Sequence, residues 1–396
     1  MKKINHPLMD NNITQKDTDA VINFIKSNKK RIFTQSKKVR EFEKKWSKWL
    51  GVKYSIFVNS GSSANLLSLL ALKILKGKGG EVIVPSLTWI SDVSSVIQNG
   101  FKPIFVDINL NNLSMNEEHV IKKINYKTKA IFLTHAQGFN GLSKKLLEII
   151  KKKKIVLIED VCESHGASFG SKKLGTFGLI SNFSFYYAHH MSTIEGGMIC
   201  TNDKKIYELI RMLRSHGLLR ESGNKKFEKL NINRYKKLSP KFIFLHPAYN
   251  LRNNEISAVI GINQLKNLNK NNLIRKKNFE FFIQHLDKEK YFTEFDMKGS
   301  CNYAFPLILR KKSFKNRDFL EKKMIEQKIE FRRGNAGGGN QMRQPYLKDF
   351  IKIKNFKNFQ NVDHVHFYGY YIGNYPSLKK NKILKICKFL NSINYV

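Results

Sequence analysis

The sequence predicts an α/β protein, with a large domain on a mainly parallel, mixed sheet followed by a smaller C-terminal α+β domain. Three observations predict it. From about residue 36 to 245, short β-branched runs alternate with amphipathic helical stretches. Those runs are apolar without strict alternation, as expected of strands covered by helices on both faces. A length of 396 residues also leaves room for two units with ample core.

Residues 1–35 are polar with a short helical pattern and suit an arm packing on a larger body. A strand-like Ile56-Phe57-Val58 then runs into Asn59-Ser60-Gly61-Ser62-Ser63-Ala64-Asn65, which opens a leucine-rich helix. Residues 82–84, 104–106, 130–133 and 155–158 read as buried strands. A helix over 254–268 leads into the smaller unit, residues 246–396. The glycine-rich stretch 334–340 reads as a flexible loop too short to separate domains. There is no internal repeat.

The formal charge is +40, yet lysines are spread through every segment, and the run from Lys151 to Lys154 sits where a solvated helix end is expected. No helix-turn-helix, RNA-recognition or zinc-finger pattern accompanies them, so no specific nucleic-acid partner is expected. No run of about 18 apolar residues suggests a membrane span. The four cysteines lie far apart, without a CxxC pair; a reducing cytoplasm is expected, with no metal and no iron–sulfur motif.

Backbone N–H groups at the helix start after Ser60, with small residues permitting close approach, make an anion site or a plain serine N-cap. Asp160 ends a predicted strand, at the carboxyl edge where ligands gather in open α/β sheets. A carboxylate there can pair with a protonated ring nitrogen; it can also be a surface aspartate. Glu163 and His165 either face a ligand or line the turn. Ser184 either donates to a phosphate or caps a strand. His189 and His190 stand together in a loop before Glu195-Gly196-Gly197, and imidazole exchanges protons near neutral pH.

The ordered set Ser60-Gly61-Ser62-Ser63-Ala64-Asn65, Pro85-Ser86-Leu87-Thr88-Trp89, Glu159-Asp160-Val161-Cys162-Glu163-Ser164, Gly175-Thr176-Phe177-Gly178, His189-His190 to Glu195-Gly196-Gly197, Arg214-Ser215-His216-Gly217 and Tyr249-Asn250-Leu251-Arg252 resembles the sugar aminotransferase/dehydratase family. That family has the aspartate-aminotransferase fold, the fold type I of pyridoxal phosphate (PLP) enzymes. Its aminotransferases carry a Schiff-base lysine six residues before the Glu-Gly-Gly; here that position is His189. The chain therefore resembles the histidine branch, the GDP-4-keto-6-deoxymannose 3-dehydratases and their CDP-linked relatives.

The resemblance implies PLP and its pyridoxamine form, bound without a covalent link. Backbone amides of Gly61, Ser62 and Ser63, with the Ser184 hydroxyl, would hold the phosphate. Trp89 would stack on the ring, Asp160 would meet its nitrogen, and Glu163, where many aminotransferases have glutamine, would lie near the phenolic oxygen. Asn250 would reach the phosphate of a neighbouring subunit, implying a homodimer with shared sites. His189 would be the acid–base, its ordinary pKa of about 6.5 suiting both roles, and His216 would position substrate or His189. The implied activity is a cytoplasmic 3-dehydratase of a nucleotide-linked 4-keto-6-deoxyhexose, with glutamate as amino donor. The rivals are a sugar aminotransferase and a non-catalytic ligand-binding homologue. Nucleotide (GDP, CDP or dTDP) and sugar stereochemistry stay open.

Overall fold

Seven strands form one sheet in the computed structural model, which describes residues 3–10, 12–351 and 356–395. Strands β1 (Tyr54–Val58), β2 (Glu81–Pro85), β3 (Lys102–Val106), β4 (Thr128–Thr134) and β5 (Val156–Asp160) are followed by a ribbon of β6 (Ser168–Phe169) and β7 (Lys172–Lys173). Strands β8 (Ile180–Ser184) and β9 (Gly197–Thr201) complete the set. The large sheet runs β1-β9-β8-β5-β4-β2-β3. Pairs from β3 through β2, β4 and β5 to β8 are parallel; β9 is antiparallel to both β8 and β1. Side chains on both faces are buried, Ile83, Ile131 and Leu157 in one apolar cluster and Val82, Ala130 and Ile158 in another. That is why these strands read as unbroken apolar runs.

The four strands expected at 82–84, 104–106, 130–133 and 155–158 are present, the last starting one residue later. The helix expected over 254–268 is two, Glu255–Leu265 and Leu268–His285. The N–H groups of Lys266 and Asn267 turn back to Asn263 and Gln264, a tightening that redirects the chain before buried Leu268. The lysine run ends the helix Lys144–Lys153, exposed as expected.

A second sheet, β10 (Ala304–Ile308), β11 (Phe331–Arg333) and β12 (Gly369–Gly373), is antiparallel in the order β10-β12-β11. The loop expected at 334–340 is pinned against the large sheet. A Cβ on Gly337 would lie 2.1 Å from the Thr88 carbonyl, and Gln341 N–H donates to Ser86 O at 2.8 Å. The N-terminal segment also does more than pack on the body. Asn12 Nδ2 donates to the carbonyls of Tyr187 and His189, and buried Asp17 accepts from Asn263 and Gln264, both at 2.8 Å.

Candidate active site

Parallel strands put their carboxyl ends on one edge, and here β4, β5 and β8 end at Thr134, Asp160 and Ser184 around a cavity of about 340 Å³. Period-two alternation separates the neighbours Glu159 and Asp160. Glu159 turns away and accepts the N–H groups of Gly175, Phe177 and Gly178 at 2.6–2.9 Å, which accounts for that glycine motif. Asp160 turns into the cavity wall, accepting from Cys162 N–H and Asn65 Nδ2, both at 2.9 Å.

The helix Gly61–Lys76 starts at the same edge, capped by Ser60. Cap geometry changes one expectation. Ser63 N–H is taken by Ser60 Oγ at 3.1 Å, so it does not point to the cavity; those of Gly61 and Ser62 have no partner among the described residues. Gly61 leaves the approach open, because a Cβ there would lie 2.6 Å from Ser184 Cβ and 3.1 Å from Cys162 Sγ. Gly197 is needed for a similar reason: its Cβ would meet Ser60 O at 2.2 Å. Free N–H groups, the Ser184 hydroxyl and a helix start thus converge on one anion-sized corner.

Trp89 caps the helix Ile90–Gln98 and is 55% exposed at the cavity, where it forms a flat wall. Glu163 Oε2 accepts from Gln137 N–H at 2.7 Å, and Tyr303 OH lies 3.5 Å from Oε1. Burial pushes the Glu163 carboxyl up to about 7. Gln137 adopts φ 56 to aim that N–H, a strain found at functional positions.

His189 lines the cavity, its Nδ1 shut away without a partner among the described residues, which leaves Nε2 as the nitrogen facing the open side. Its ring lies against Tyr303, with centroids 5.7 Å apart, and near His165 at 6.1 Å. Burial, opposed by Asp160 and reinforced by Arg275, lowers its pKa to about 4. This corrects the expectation of an ordinary value near 6.5: the imidazole is neutral at neutral pH. His190 points away, its Nε2 2.8 Å from Cys301 O and its ring stacked on His165. No lysine lines the cavity among the described residues.

His216 and Asn250 are not brought to this cavity. Both are exposed, joined by a Ser215–Asn250 bridge, and His216 lines a separate surface depression with residues 244–248. His216 therefore does not position His189 within its own chain. Tyr303 and Tyr371, cavity residues from beside and within the second sheet, went unread in the sequence, since no local motif marks them. Asn65 stood inside a recognised motif, and its position one helical turn after Gly61 was the signal that it also faces this edge.

The family model for the DegT/DnrJ/EryC1/StrS aminotransferases matches residues 11–391. The chain belongs to this family. It is 32% identical over 377 residues to the GDP-4-keto-6-deoxy-D-mannose 3-dehydratase of Escherichia coli O55:H7, covering 94% of this chain and 96% of that protein. The fold superposes with a TM-score of 0.88 on an E. coli GDP-4-keto-6-deoxy-D-mannose-3-dehydratase with bound hydrated PLP, at 30% identity over 98% of this chain and 100% of that one. A GDP-4-keto-6-deoxymannose-3-dehydratase with a trapped PLP–glutamate geminal diamine is similar at TM-score 0.85, with the same identity and coverage.

The cavity fits PLP on its own chemistry. It offers an anion corner at Gly61, Ser62 and Ser184, a flat aromatic at Trp89 and a buried carboxylate at Asp160. Among the described residues, no helix is long and apolar enough to cross a membrane.

Proposed function

We propose that this protein is a pyridoxamine-phosphate-dependent 3-dehydratase of a nucleotide-linked 4-keto-6-deoxyhexose, GDP-linked as in the dehydratases named above, with glutamate as amino donor. The observation that carries this reading is His189 in a cavity that no lysine lines among the described residues, across from a buried carboxylate. Gly61, Ser62 and Ser184 would hold the cofactor phosphate, Trp89 its ring face, Asp160 its nitrogen and Glu163 its phenolic oxygen. The bound cofactor supplies an amino group that joins the C4 ketone and a cationic ring that accepts an electron pair.

The remaining work falls to the chain. His189 Nε2, neutral at neutral pH, takes a proton. Because its pKa lies well below neutrality, the proton it gives to the departing C3 hydroxyl is the one it has just taken; the C3–O bond breaks and the oxygen leaves as water. A neutral imidazole cannot form the stable imine of a Schiff-base lysine, which is the physical argument against the aminotransferase. The intact set of Asp160, Ser184 and Trp89 argues against a non-catalytic binder.

The reading includes a cytoplasmic homodimer in which Asn250 and His216 serve the partner's cavity. Residues 1–35 would form its arm, 36–245 the cofactor domain and 246–396 the smaller domain. The test is a mass-spectrometric screen of GDP-, CDP- and dTDP-4-keto-6-deoxyhexoses with PLP and glutamate. One sugar should lose a single oxygen atom; a product carrying nitrogen instead would make the protein an aminotransferase.

A further inference from the structure

Behind Asp160 lies a second carboxyl that the chemistry above does not use. Asp92, in the first turn of the helix Ile90–Gln98, has no exposed surface. Its Oδ1 lies 2.6 Å from Asn65 Nδ2, the same amide that donates to Asp160 Oδ2 at 2.9 Å. Its Oδ2 meets the hydroxyls of Thr88 and of Thr134, the latter at 2.6 Å, and those two hydroxyls are 2.8 Å apart. Three oxygens thus touch in a ring, and two threonines bring two hydrogens to three contacts. If Asp92 is ionised, both threonines donate to it and their mutual contact sets lone pair against lone pair. If Asp92 carries a proton, each oxygen of the ring donates once and accepts once.

The surroundings agree with the hydrogen count. The titratable groups facing Asp92 are Asp160 and Cys162, at the end of β5 and in the turn after it, and Tyr346 in Pro345–Leu347; all are acids. No Lys, Arg or His is hydrogen-bonded or ion-paired to either carboxyl among the described residues. Two buried carboxylates on one amide with no cation cannot both ionise cheaply.

We propose that Asp92 is a positioning residue that stays protonated, so that it and Asp160 together carry one negative charge, directed at one cationic ring nitrogen. The direction of its titration concurs: burial first, then the Asp160 charge, raise the Asp92 carboxyl well above its ordinary range. The pairing with a ring nitrogen rests on the function proposed above; the shared proton does not.

Two readouts test it. In cofactor-free protein, a carboxyl with a raised folded pKa stabilises the fold below its unfolded value and loses that contribution as pH rises. The denaturation midpoint of wild type should therefore fall, relative to Asp92→Asn, between pH 5 and 9. Parallel curves would overturn the shared proton, whatever the cofactor does. In PLP titrations followed by fluorescence, Asp92→Asn should bind within about threefold of wild type, since its amide still offers a donor. Asp160→Asn should bind roughly tenfold to a hundredfold more weakly. Asp92→Leu, which leaves Thr88, Thr134 and Asn65 without their partner, should lose about tenfold, with Asn as the conservative rescue. Equal losses in Asp92→Asn and Asp160→Asn would overturn the proposal, and the Asn variant decides it even if the Leu variant does not fold.

Discussion

At His189 the chain surrounds an imidazole with its own rings and carboxyls, whereas at His216 it holds one out to solvent. The first region is furnished from a single protomer: strand ends supply Asp160 and Ser184, a helix start supplies Gly61, and the second sheet lends Tyr371. The second is a strip of motif residues with apolar neighbours, Phe242, Phe244 and Tyr249, left about half exposed. Exposed aromatics near one another in sequence, beside polar groups such as Asn250, suit an interaction surface. The difference teaches that the motifs in this sequence belong to two classes. Some fold onto each other within one chain. Others lie apart from the cavity of their own chain, and the dimer proposed above would bring them to a partner's.

The largest expected effect lies in the first region. His189→Asn should retain the fold and bind pyridoxamine phosphate, yet lose dehydration by about 10²–10⁴-fold, because an amide fills similar space without cycling a proton. His189→Lys should allow borohydride to trap PLP on the protein, as wild type should not. A reduced adduct on any wild-type lysine would restore the aminotransferase reading.

Next comes the strip. Asn250→Ala should weaken cofactor binding by about 1.5–3 kcal/mol, the scale of one charge-assisted hydrogen bond. Mixing it with His189→Asn separates the two regions. In a hybrid dimer, one cavity keeps its own His189 and receives an intact Asn250 from the other subunit, so activity should reappear from two weak variants. If Asn250 serves its own cavity, mixing restores nothing.

What could be read in the sequence follows the same division. The parallel strands were legible because burial on both faces writes itself as unbroken apolar runs, as in Val82-Ile83-Val84. Asp160 and Gly61 were legible because a strand end and a helix start are local signals. Tyr303 was not: it reaches the cavity from a segment more than a hundred residues beyond His189, and nothing in its own neighbourhood announces it. The altered pKa of His189 was hidden too, since it comes from burial by rings that the sequence does not place. The split at Lys266–Asn267 was missed because the helical period continues through the turn. Ser63 was assigned to the cavity because a motif shows which residues cluster, and a cap decides which N–H is spent.

The smallest effect concerns His190, the neighbour that shares the loop but not the cavity. It is 1% exposed, and its contacts are with Cys301 O and the His165 ring. His190→Asn should therefore change turnover by less than about tenfold, well short of what a proton-carrying group contributes. Its signature should be in stability against acid. Burial holds the imidazoles of His165 and His190 well below 6.5 and that of His189 at about 4, so all three bind protons more readily in the unfolded chain. A group with a depressed folded pKa contributes stability above its unfolded value and loses it as pH falls, here from about 6.5 downward, by up to about 1.4 kcal/mol per pH unit for each proton. Removing His190 takes one such proton away. Urea midpoints measured at pH 7 and pH 5 should consequently lie closer together in His190→Asn than in wild type, even if the variant starts from a lower midpoint. If instead His190→Asn abolishes turnover and leaves the acid sensitivity unchanged, the two histidines have exchanged roles and the site must be rebuilt around residue 190.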